Sequence, residues 1–138
     1  MFRETLENGR VDMPKMMLVV LVGCLATPVL AQDSAKTDPK IIKVTLENEQ
    51  VRILKAHYEP HDKTAMHDHP VPRVVVFLTD QYARITLADG RTVEARRKAG
   101  DAVLFPPERH AVENLSDKPF ETVEIELKCA PDSDGGGQ

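Results

Sequence analysis

Residues 41–129 are predicted to form an all-β domain, and three observations carry that reading. The chain is divided into short runs of β-branched and aliphatic residues, turn residues separate most of the runs, and no convincing amphipathic helical period occurs. The runs are 41–47 (IIKVTLE), 51–58 (VRILKAHY), 64–69 (TAMHDH), 73–79 (RVVVFLT), 82–87 (YARITL), 91–96 (RTVEAR), 101–105 (DAVLF), 109–113 (RHAVE) and 120–128 (FETVEIELK). Glu59-Pro60, Pro70 to Pro72, Asp89-Gly90, Ala99-Gly100, Pro106-Pro107 and Asp117-Lys118-Pro119 fall between them, and Asp-Gly is a strong hairpin signal.

Nine short strands at this spacing suggest a small barrel or jelly roll. The 73–79 run is apolar on both faces and is expected in the interior of a sheet. The last run alternates Val123, Ile125 and Leu127 with Glu124, Glu126 and Lys128, which predicts the aliphatic set buried and the charged set wet.

The flanks read differently. Met16 to Leu30 (MMLVVLVGCLATPVL) is apolar, follows Lys15 and precedes Ala31-Gln32, so residues 1–31 are expected to be an export signal that is cut to release a periplasmic protein. About fifteen apolar residues interrupted by Gly23 and Pro28 fall short of the roughly 20 that span a bilayer. Residues 1–12 carry Arg3 and Arg10 against Glu4, Glu7 and Asp12, unlike a positive leading region, which makes Met13 an alternative start. Leu21-Val22-Gly23-Cys24 looks like a bacterial lipobox, so the alternative to a soluble exported chain is a lipid anchor at Cys24. Residues 32–40 (QDSAKTDPK) are expected as a linker, and 130–138 as a disordered tail.

The whole chain has 138 residues, 41% hydrophobic and 29% charged, with a net charge of −4. That is one domain of ordinary globular composition. The negative balance argues against a nucleic-acid partner, which a basic face would meet. After cleavage only Cys129 remains; one cysteine makes no intramolecular disulfide, so the fold must rest on its apolar core.

His67-Asp68-His69 is the stretch that carries chemistry. On a strand, alternate side chains share a face, so both imidazoles point the same way. Imidazole is the commonest protein metal ligand, and a third donor from a neighbouring strand would complete one face of a coordination sphere. No phosphate-binding loop, catalytic carboxylate pair or serine–histidine–acid arrangement is evident.

Two motifs extend this pattern. His67-Asp68-His69 is followed by the apolar run Val74 to Leu78; further on, Gly100-Asp-Ala-Val-Leu-Phe-Pro106 precedes His110-Ala-Val-Glu-Asn114. In spacing and order the chain resembles the cupin family, small double-stranded β-helix or jelly-roll barrels that hold a metal ion inside. The resemblance covers residues 41–128. It implies that His67, His69 and His110 converge on one divalent ion, whether Fe, Mn, Zn, Ni or Cu. It implies also that single domains pair as homodimers through edge strands such as 41–47, and that Asn114 braces the strand of His110 or meets a ligand.

The departures from the family pattern bear on function. Where the family places a glutamate ligand after the second histidine, this chain has Arg73 or Val74. A guanidinium within about 5 Å of a divalent ion would be repelled by roughly 6 to 7 kcal/mol at an effective dielectric near 20. Arg73 is therefore expected to turn outward or to meet an anion lying between. His61, Asp80 and Glu108 replace family glycines; the first two are expected in turns, where His and Asp tolerate positive φ. His61 and Glu108 read as solvated turn residues, with the barrel mouth as the alternative, and His57 reads as an outward residue. Glu113 should not share the face of His110.

Three functions are compatible with these residues. One is a non-haem metal-dependent enzyme of dioxygenase type acting on a small oxygenated substrate; another is a non-catalytic exported module that binds a metal or a small anion. The third is a structural dimer whose histidines are decoys. An aromatic content of 4% without tryptophan argues against a large stacking pocket.

Overall fold

The computed structural model describes residues 31–128. The expected export signal before Ala31, Cys24, Cys129 and the tail lie outside the described residues. Nine strands follow in order: β1 (Ile42–Glu47), β2 (Val51–Tyr58), β3 (His67–His69), β4 (Arg73–Phe77), β5 (Gln81–Leu87), β6 (Thr92–Arg97), β7 (Ala102–Phe105), β8 (Glu108–Asn114) and β9 (Phe120–Leu127). Each expected run overlaps one, with β5, β6 and β8 reaching one residue past the expected bounds. The run at 64–69 is strand only from His67, although Thr64 already bonds β8, donating its N–H to the Val112 carbonyl at 2.9 Å.

The strands form two antiparallel sheets, ordered β1-β2-β9-β4-β7 and β3-β8-β5-β6. Apart from the β1–β2 and β5–β6 hairpins, consecutive strands alternate between the sheets, as in a jelly roll. β4 lies between β9 and β7, in agreement with its apolar run. A core of Ile42, Leu54, Ala56, Tyr58, Ala83, Val112 and Phe120 fills one end of the barrel. Tyr58 and Phe120 stack there with ring centroids 4.4 Å apart.

That stacked pair sets the phase of β9, and the phase is opposite to the one predicted. With Phe120 inward, Thr122, Glu124 and Glu126 follow it inward, and Val123, Ile125 and Leu127 face out. Strand periodicity is two, so a one-residue choice of phase moves every side chain to the other face. The aromatic anchor outweighs the aliphatic alternation because cations inside the barrel meet the two glutamates.

Residues 32–40, expected as a linker, contain a helical turn, α1 (Ser34–Thr37). Asp33 caps it, accepting from the Ala35 N–H at 2.9 Å, and pairs with Arg52 of β2 through both carboxylate oxygens at 2.8 and 2.9 Å. Gln32 and Asp68 exchange backbone and side-chain hydrogen bonds, so this segment covers the open edge of β3. A single turn has little intrinsic stability and no periodic signature; the ion pair with Arg52 holds it.

His61 has φ 66°, as expected for its turn, and is alone in this among the described non-glycine residues. Asp80 does not share it. Its carboxylate instead accepts from the Ala99 N–H at 3.0 Å and from Lys98 at 2.7 Å, tying two turns together.

Candidate metal centre

β3 is an edge strand paired with β8, and the register places His67 directly opposite His110. Alternation puts His69 on the same inner face as His67. All three imidazoles are buried, at 1%, 2% and 6% exposure, and one ligand atom from each lies within 4.8 Å of the others. The rings meet edge to face at 4.9 to 5.2 Å between centroids, an arrangement that leaves nitrogens, not ring faces, directed at a common point.

Each ring is oriented by a second contact. Nδ1 of His67 donates to the Ala65 carbonyl at 3.0 Å, and Nδ1 of His69 donates to Glu126 Oε1 at 2.9 Å. Nε2 of both rings is then the lone-pair nitrogen, and Nε2 of His69 is buried with no hydrogen-bond partner. Nδ1 of His110 lies 3.2 Å from Glu108 Oε1. Burial, with His110 and His69 close by, lowers the pKa of His67 to about 4, so it is neutral at pH 7. Oriented nitrogens converging in a buried space, that of His67 on a neutral ring, fit a metal ion, because ligands must be deprotonated and held by outer hydrogen bonds.

Arg73 does not turn outward. It is 2% exposed, and its guanidinium lies between two carboxylates, with Nη2 donating to Glu108 at 2.7 Å and Nε to Glu124 at 3.1 Å. The anions that the sequence reading required near Arg73 are supplied by the protein itself. Glu108 is part-buried on β8, not in a solvated turn; beside His110 and Arg73 its carboxyl is held down to about 2. Glu124 Oε2 also approaches Nε2 of His69 to 3.8 Å.

One positive and two negative groups leave Arg73, Glu108 and Glu124 with a sum of −1. A divalent ion among three neutral imidazoles would bring that sum to +1, the same as three histidines and one glutamate. The absent glutamate of β4 is thus compensated in charge from β8 and β9. A chain of pairs continues beneath, from His69 to Glu126, from Glu126 to Arg52 at 3.3 Å, and from Arg52 to Asp33. Burial opposes ionisation of Glu126, but His69 and Arg52 hold its carboxyl below the ordinary range.

Glu124 and Glu126 were missed in the sequence because the aliphatic residues between them looked like the buried set. Phe120 was the available signal, since an inward aromatic at the start of the strand carries positions 122, 124 and 126 inward. Asn114 is fully buried but serves the loops. Its amide donates to the Glu59 and Lys118 carbonyls and its oxygen accepts from Ser116. His57 faces outward and bonds Glu59 and Glu121, while Glu113 faces away from the histidines and bonds Arg84.

No family model matches the sequence, and no curated protein matches it. Solved structures do. A cupin domain from Bordetella pertussis Tohama I is 31% identical with a TM-score of 0.61, over 64% of this chain and 93% of that one. A double-stranded β-helix protein from Klebsiella pneumoniae is 24% identical with a TM-score of 0.53, over 64% and 76%. A cupin family protein with a double-stranded β-helix fold from Methanocaldococcus jannaschii is 15% identical with a TM-score of 0.52, over 63% and 78%.

Proposed function

This chain belongs to the cupin family, and from that premise we propose that it binds a divalent metal ion through His67, His69 and His110 and acts as a metal-dependent enzyme of dioxygenase type on a small oxygenated molecule. The single observation that carries the metal reading is the convergence of three buried imidazoles, with Nε2 of His69 left without a partner. When bound, the ion supplies Lewis acidity and open positions for oxygen donors. The protein's own residues orient the rings through Ala65 and Glu126, exclude water by burial, and set the local charge through Arg73, Glu108 and Glu124.

Metal analysis of the protein as purified, beside a His67→Ala/His110→Ala double variant, tests the site. We expect near-stoichiometric metal in the former and a trace in the latter; equal metal in both overturns the proposal. Oxygen uptake with Fe(II) and a panel of diketones, catechols and hydroxy acids then separates an enzyme from a binder. One observation favours the binding module as a second reading: Glu108 and Glu124, the carboxylates of the cavity wall, are both bonded to Arg73 and neither is free to move a proton.

Export through residues 1–31 belongs to the proposal on sequence grounds, and N-terminal sequencing of the secreted chain distinguishes a start at Gln32 from one at lipidated Cys24. So does a homodimer, and here the outer face of the larger sheet is the support. Cross-strand partners Leu46, Ile53, Ile125, Val74 and Leu104 form an apolar row across all five strands, with Leu104 at 66% exposure.

A further inference from the structure

The barrel encloses a cavity of about 260 Å³ beside the histidines, reached by His110 but not by His67 or His69. Its middle is apolar, with Val75, Phe77, Ile85, Phe105 and Phe120 among its walls. Three buried side-chain polar atoms without hydrogen-bond partners belong to residues that line it: Arg73 Nη1, Arg97 Nε and Thr122 Oγ1. An orphaned buried donor costs about 1 to 3 kcal/mol. Gathering several around one space is the arrangement expected where a ligand supplies acceptors.

The two arginines are not equivalent. Arg73 is fully compensated by Glu108 and Glu124. Arg97 has no carboxylate within ion-pair distance among the described residues, and its only side-chain hydrogen bond runs from Nη1 to the Arg96 carbonyl. β6 presents Val93, Ala95 and Arg97 to the cavity on alternate positions, and Val93 is 53% exposed, so the space opens to solvent along this strand. Arg97 pairs in register with Gln81 at the start of β5, whereas Leu87 at the other end of β5 pairs with His110. The uncompensated cation therefore stands at the end of the cavity away from His110, separated from it by the apolar walls, whereas exposed Val93, in register with Ile85, lies nearer the histidine end.

We propose that this cavity binds a small carboxylic acid with an apolar body, its carboxylate held by Arg97 at the end away from the histidines and its carbon skeleton directed toward His110, where Arg73 Nη1 and Thr122 Oγ1 offer donors to a second oxygen. A volume of about 260 Å³ is just below the roughly 300 to 1,000 Å³ of drug-sized sites, which limits the ligand to a small molecule. The assignment rests on the metal-site reading for what happens at the inner end of the ligand, but recognition of the acid depends on Arg97 alone.

Isothermal titration of hexanoate, benzoate and 3-phenylpropanoate, each beside its primary amide, tests the proposal on zinc-loaded and on metal-free protein. The expected result is that at least one acid binds ten-fold or more tighter than its amide. The ratio falls to about one in Arg97→Gln, with fold and zinc content unchanged, and persists in Arg97→Lys with a smaller margin. Thr122→Val, which keeps the wall's shape, should weaken 3-hydroxy-3-phenylpropanoate more than 3-phenylpropanoate. Equal binding of acids and amides, an acid preference that survives Arg97→Gln, or no binding by any acid at millimolar concentration overturns it. If zinc fails to bind, the metal reading falls, and the acid-to-amide ratio of the metal-free protein still decides this one.

Discussion

Glu126 Oε1 lies 2.9 Å from Nδ1 of His69, and the two side chains are among the most buried polar groups of the barrel. The contact fixes which nitrogen of His69 carries the proton and points the other toward His67 and His110. Glu126 is itself held by Arg52, and Arg52 by Asp33 of the N-terminal segment. The ring orientation of one candidate ligand is therefore continuous with the docking of α1.

Replacing Glu126 by Gln keeps its size but removes the charge that fixes the His69 tautomer. Losses of about 10- to 100-fold in metal affinity are usual when such a contact is removed. Competition against a chelator should show that loss for Glu126→Gln and a smaller one for Arg52→Met, with the fold retained in both.

Removing Arg73 should harm stability more than removing the whole charge cluster. Arg73→Met leaves Glu108 and Glu124 part-buried and facing one another without their cation, and breaking a buried pair in this way costs about 3 to 5 kcal/mol. The triple variant Arg73→Met/Glu108→Gln/Glu124→Gln removes all three charges and should recover most of that loss. Urea unfolding of the two variants checks the order.

The docking of α1 should depend on pH through Asp33. Burial works against its ionisation, but hydrogen bonding to Arg52 and the charge of Arg52 outweigh it, so its carboxyl lies below the ordinary value of 3.8. A lowered folded-state pKa means that the stabilisation is present above the ordinary value and is lost as pH falls through the folded one. An NMR titration of the Ala35 amide, which donates to Asp33, should therefore have a midpoint below 3.8. In Arg52→Met the midpoint should move upward.

The apolar row on the outer sheet face predicts where a dimer breaks. Leu46 and Leu104 stand at its two ends and are exposed in the protomer, so Leu46→Lys/Leu104→Lys leaves the core intact. Light scattering should show the wild-type chain as a dimer and this variant as a monomer with little change in protomer stability. A wild-type monomer at 100-micromolar order concentration counts against the pairing.

The order of nine short strands was legible in the sequence because proline, glycine and aspartate punctuate it, and local turn chemistry needs no distant partner. The histidines were legible for a related reason: His67 and His69 share a face by strand geometry, and the spacing to His110 resembles a family motif. Three matters lay beyond that reach. β9 shows Phe120, Thr122, Glu124 and Glu126 to the interior because Phe120 stacks on Tyr58, a partner 62 residues away in the numbering. Arg73 enters the barrel because Glu108 and Glu124 reach it from two other strands, and residues 32–40 dock because Arg52 pairs with Asp33. Local alternation alone says which residues share a face; which face is inside is decided by long-range packing and by where opposite charges meet in a low dielectric.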